Sequence, residues 1–63
     1  MKVKVGDWVR FYRDGALVLG VVSYIRKREA WELCNSAQTD QGEVSIERVL
    51  EVRAAGMEVP DGA

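Results

Sequence analysis

Gly6-Asp7-Trp8-Val9-Arg10-Phe11-Tyr12-Arg13-Asp14-Gly15-Ala16-Leu17-Val18-Leu19-Gly20-Val21-Val22 is the stretch whose reading decides the fold. From Asp7 to Arg13, Val9 and Phe11 alternate with Trp8, Arg10 and Tyr12, which is the period of a half-buried strand. Asp14-Gly15 follows, a dipeptide that tolerates the positive φ angles of a two-residue hairpin turn. Beyond it Ala16 to Ile25 is rich in β-branched residues (Val18, Val21, Val22, Ile25), so the spacing predicts a hairpin. Gly20 inside the second strand predicts a bulge or sharp bend. A strand curled there can serve both sheets of a small barrel, which is how a short chain closes its edges.

Working outward, Arg26-Lys27-Arg28-Glu29 reads as a polar connection, and Ala30 to Asn35 as a third strand with Trp31 and Leu33 on one side. The same stretch is built largely of helix formers, so a helical turn over residues 28–33 is the competing reading. Asp40-Gln41-Gly42 marks a second turn, Glu43 to Ile46 a strand, Glu47-Arg48 a short turn, and Val49 to Arg53 the last strand. Ala54 to Ala63, with Gly56, Pro60 and Gly62, has no periodicity and reads as a flexible tail. The expected division is a domain over residues 1–53 and a tail over 54–63. The expected core is Val9, Phe11, Val21, Leu33, Val44, Ile46 and Leu50.

Length and composition bound the chemistry. Sixty-three residues allow one domain, and a chain of this size buries only about 60% of the surface its unfolded form exposes. Cys34 is the only cysteine and histidine is absent. That excludes an intramolecular disulfide, a zinc-ligand cluster and catalysis by Ser-His-Asp or Cys-His pairs. No metal site and no cofactor are expected. The acidic run Asp40, Glu43, Glu47 matches no calcium-loop spacing and reads as solvation of a sheet edge. No run approaches the ~18 apolar residues of a membrane span, and the first residues lack a signal peptide's apolar block. A cytoplasmic, non-membrane protein is therefore expected. Charge is divided unevenly: residues 1–28 carry seven basic against two acidic side chains, a net +5, and residues 29–63 two against eight, a net −6.

Five short strands, the Gly6-Asp7-Trp8-Val9-Arg10-Phe11 opening, Gly20-Val21-Val22, and turns at Asp14-Gly15 and Asp40-Gly42 resemble an SH3-like small barrel of the Tudor and KOW kind. The resemblance covers Gly6 to Leu50 and implies an all-β, SH3-like five-stranded small barrel. The opening also resembles the type II dihydrofolate reductases, which line a shared pore with a Val-Gln-Ile-Tyr strand. Here the matching residues are Val44-Ser45-Ile46-Glu47, and Phe11 stands where that family has a pore lysine. Ser45 is too short to replace the glutamine, and Glu47 would repel a cofactor's phosphates, so the resemblance argues for the fold and against the reductase activity.

The candidate binding or interface residues are Trp8, Arg10 and Tyr12, placed by alternation opposite Val9 and Phe11, with Tyr24 as an addition. Exposed aromatics beside arginine have the composition of an interface. A lid over one end of the barrel is the competing role for Trp8. The Tudor resemblance would make Trp8, Tyr12 and Tyr24 an aromatic cage. Arg26, Lys27 and Arg28, with Lys2, Lys4, Arg10 and Arg13, are the possible nucleic-acid contacts of a KOW-like domain, against which the pI near 5.3 weighs. The functional expectation is a non-catalytic binding or assembly module, either a homo-oligomer or bound to another protein. Nucleic-acid binding is the alternative and a reductase-like enzyme the remote third.

Overall fold

A computed structural model describes residues 2–54. Among these residues the structure is all-β: five antiparallel strands, β1 Trp8–Arg13, β2 Ala16–Arg26, β3 Ser36–Thr39, β4 Gly42–Ser45 and β5 Glu51–Arg53, with one 3-10 turn at Ile46–Arg48. They form one sheet in the order β4-β3-β2-β1-β5, with β4 and β5 as its unjoined edges.

The hairpin forms as its turn residues dictate. Asp14 and Gly15 both take positive φ, 51° and 81°, and pairing runs from Arg13 opposite Ala16 to Trp8 opposite Val21. Upstream, Gly6 at φ 95° turns the chain into β1. The Asp7 N–H donates to the Lys4 carbonyl, and the Asp7 carboxylate accepts the Lys4 N–H, both at 3.0 Å. The turn into the first strand is thus closed by its own aspartate.

β2 is shared between two half-sheets, pairing with β1 through Val21 and with β3 from Val22 onward. The irregularity in β2 falls between Val22 and Tyr24 and not at Gly20. Gly20 has another purpose. A Cβ there would lie 2.6 Å from Thr39 Oγ1 and 2.8 Å from Thr39 Cβ. The missing side chain lets the β3–β4 turn press against β2, where Asp40 Oδ1 accepts the Val21 N–H at 2.8 Å. Thr39 Oγ1 in turn accepts from the Gln41 N–H and donates to the Gly42 carbonyl.

The core is Val9, Phe11, Val22, Ala37, Val44 and Val49, with Val3, Val18, Ile25, Ile46 and Val52 packed around it. Val9, Phe11 and Val44 match expectation and Ile46 is half-buried. Three assignments are corrected. Val21 lies opposite Trp8 on the outer face, so Val22 takes the core position. Leu50 is exposed because the 3-10 turn ends at Val49, which the turn carries inward, and Leu50 precedes the strand. Leu33 is exposed because Ala30–Asn35 forms neither strand nor helix. Glu29 to Glu32 is a turn, with the Glu32 N–H on the Glu29 carbonyl at 3.0 Å, and the third strand starts at Ser36. The expected tail lies outside the described residues apart from Ala54.

The two glycines differ in what they forbid. Nothing lies within 4 Å of a Cβ at Gly15, so only its φ resists substitution. Gly15→Ala should cost about 1 kcal/mol from backbone strain, and Gly15→Asn much less because asparagine accepts positive φ. Gly20→Ala and Gly20→Asn should both cost roughly 1–3 kcal/mol, as overpacking does. Urea unfolding of the four variants checks this, and a near-neutral Gly20→Asn would contradict the close approach.

Candidate functional site

Residues directly opposite on antiparallel strands share a face. Val9 and Phe11 point inward, so Trp8, Arg10 and Tyr12 of β1 point outward, joined by Val21, Leu19 and Leu17 of β2 and by Arg53 and Glu51 of β5. The structure thus brings Trp8, Arg10 and Tyr12 together on one outer face, with Trp8 half-buried and Tyr12 65% exposed. Sequence reasoning missed Leu17, Leu19 and Val21. The signal was available, since Leu17 to Val22 is an apolar run that does not alternate, and such a run gives a strand two apolar faces. Leu50 is also exposed, beside Tyr12 and Arg48 around a hollow of about 290 Å³.

One carboxylate on this face serves two arginines. Glu51 accepts from Arg53 Nε at 2.9 Å and from Arg10 Nε at 3.3 Å. The Arg53 hydrogen bond, with Arg10 adding to it, holds the Glu51 carboxyl below its ordinary range. Arg10 therefore serves as a partner of Glu51 at the rim of the apolar strip.

Tyr24 lies elsewhere. It pairs with Gln38 of β3 after the register shift, on the outer side of the other half-sheet. Tyr12 and Tyr24 are opposed to different strands, and Trp8 and Tyr12 stand four residues apart, ~13 Å along one strand. An aromatic cage needs rings within ~6 Å of one cation, which this register does not provide.

Arg26, Lys27 and Arg28 do not act as a set. Arg26 donates from both terminal nitrogens to Glu32, at 2.9 and 2.7 Å, and from Nε to Glu43 at 3.0 Å. Hydrogen bonds to Glu32 and then Glu43 raise the Arg26 pKa above its ordinary value. The Glu32 carboxyl is lowered to about 2, chiefly by Arg26 and further by the Glu29 N–H. The Arg28 guanidinium donates to the Glu32 carbonyl at 3.1 Å, and the Arg28 N–H to Asn35 Oδ1 at 2.9 Å. These bonds tie residues 27–35 to the end of β2 and to one another, and Trp31 and Leu33 stand in solvent, 80% and 85% exposed.

At the other end a hollow of about 580 Å³ is lined by Lys2, Val3, Lys4, Asp7, Val52 and Ala54. Asp7 is buried there, with Oδ1 lacking a hydrogen-bond partner. Cys34 Sγ sits 2.9 Å from Ser45 Oγ. The stretch resembling the reductase pore strand splits: Val44 is core, β4 ends at Ser45, and Ile46 and Glu47 enter the 3-10 turn. Among the described residues no group of three His, Cys, Asp or Glu could hold a metal ion, and no helix is long and apolar enough to cross a membrane. The chain matches no known family model, and no curated protein or solved structure is similar enough to it to count as a match.

The Arg26–Glu32 clamp should be visible in acid. Because the folded Glu32 pKa is about 2, below the ordinary 4.5, its contribution to order is full above pH ~4.5 and fades as pH falls toward 2. A carboxyl-detected NMR titration should find Glu32 still ionised at pH 3, and Arg26→Met should raise its pKa toward the ordinary range, with the Glu29 N–H still holding it down in part. A Glu32 that titrates normally in the parent chain would show that the clamp does not form in solution.

Proposed function

We propose that this chain is a non-catalytic small-barrel module that works by self-association through the outer face of β1 and β2. The carrying observation is β2 itself, apolar on both sides. Val18 and Val22 face the core, while Leu17, Leu19 and Val21 face outward beside Trp8 and Tyr12, Leu17 and Tyr12 exposed and the other three half-buried. Apolar strips of this kind, bordered by charged side chains, have the anatomy of an interface. The SH3-like, Tudor- and KOW-like reading is supported by the strand order and by a curved β2 common to both half-sheets.

Size supports the same reading. Six buried apolar residues make a small core, and chains this short commonly gain stability from a partner copy. Nucleic-acid binding is the less supported alternative, because Arg26, the first of the Arg26-Lys27-Arg28 run, is occupied by Glu32 and Glu43.

Light scattering at ~100 μM, which populates a dimer of micromolar affinity, is expected to give twice the monomer mass. Leu17→Lys should halve that mass while leaving the β circular dichroism signal intact. A monomer mass for the parent chain would refute the proposal. If instead labelled oligonucleotides bind at ~50 mM salt and are released as salt rises, the alternative takes its place.

A further inference from the structure

We infer that the loop Lys27–Asn35 of a second copy covers this face, each copy laying Trp31 and Leu33 against the Tyr12, Leu17 and Leu50 end of the other in an antiparallel two-fold pair. The inference rests on the self-association proposed above and specifies its contact.

The loop holds two large apolar side chains in solvent, Trp31 and Leu33, on a backbone that is tied down. Glu32 joins it to Arg26 of the sheet, and Arg28, Glu29 and Asn35 bond within the loop. Here a bidentate arginine–carboxylate pair and three backbone-directed hydrogen bonds fix the loop's shape. A tryptophan held ready in this way loses little freedom on binding, which is the condition for an anchoring residue.

The receiving surface lies at the opposite end of β2. Leu17 stands beside the Asp14-Gly15 turn, and Arg26 lies nine residues further along β2, on the half-sheet shared with β3. The chain's own loop does not line the hollow. Two chains side by side and antiparallel place each loop at the other's hollow, and the two-fold closes both contacts at once without growing a filament. The hollow by Tyr12, Arg48 and Leu50, about 290 Å³, has the space of roughly ten water molecules. That is room for an indole, and Arg48 lines it as a possible cation over the ring.

Area decides between this arrangement and two flat faces stacked alone. The outward apolar side chains of β1, β2 and Leu50 offer on the order of 400 Å² per copy. Stacked on themselves they bury about 800 Å², short of the ~1,200 Å² at which stable interfaces begin. Trp31 and Leu33 add on the order of 300 Å² per copy, which brings the total into that range.

Two variants, both at exposed positions, test the pairing: one lacking the anchor, Trp31→Ser with Leu33→Ser, and one with the receiving end blocked, Leu17→Lys. Each alone is expected to be monomeric by light scattering, with a parent-like NMR spectrum away from the change. When the unlabelled blocked variant is titrated into the labelled anchorless one at millimolar concentration, its intact loop should shift the resonances of Tyr12, Arg48 and Leu50. If the anchorless variant dimerises as tightly as the parent, the inference is overturned while self-association through the face stands. Absence of any shift on mixing also overturns it. A monomeric parent chain removes both.

Discussion

The rest of the structure depends on one close approach, that of Thr39 to the bare backbone of Gly20. It occurs where β2 changes partners, leaving β1 after Val21 and taking up β3 from Val22. The Thr39 side chain occupies the space a Cβ at Gly20 would take, so the end of β3 lies against bare backbone there. Thr39 commits its hydroxyl to the turn beside it, and Asp40 its carboxylate to Val21. The same few atoms hold the second hairpin against β2 beside the core residue Val22.

What was legible in the sequence was local. Asp14-Gly15 and Asp40-Gly42 announce their turns because few residues accept positive φ, and the alternation of Val9 and Phe11 against Trp8 and Tyr12 needs only a strand's period of two. Illegible were features that depend on distant partners. Gly20 carries a recognisable signal that something is special, but a bulge and a close approach look alike until Thr39 is in place. Residues 30–35 hold Trp31 and Leu33 at an alternating spacing and so imitate a strand. Their conformation is set by Arg26, which precedes them, and by Glu43, which follows them on β4. The outward set Leu17, Leu19 and Val21 lay in plain view as a continuous apolar run, and a strict expectation of one wet face obscured it.

The division of charge between the halves of the chain finds its use inside the molecule. Arg10 and Arg26 from the basic half meet Glu51, Glu32 and Glu43 from the acidic half. Exposed ion pairs of this kind add little stability individually, so their value lies in placement. One set holds a loop in a fixed shape, and the other neutralises the border of an apolar strip. A surface whose arginines already share a carboxylate meets a second copy with less repulsion than bare cations would, and shape and apolar contact then carry more of the selectivity.

Burial and association are linked in such a chain. With so few side chains sealed from water, the stability of the isolated fold is small, and the apolar run of β2 contributes only half of what it offers while its outer side stays wet. Covering that side stabilises the strand that also carries the core and both hairpins. Any partner that binds the folded face and not the unfolded chain therefore raises the apparent stability of the whole domain, by an amount that grows with the logarithm of its concentration. On this account the loop, the strip and the close approach at Gly20 form one cooperative system, because each depends on β2 passing from one half-sheet to the other.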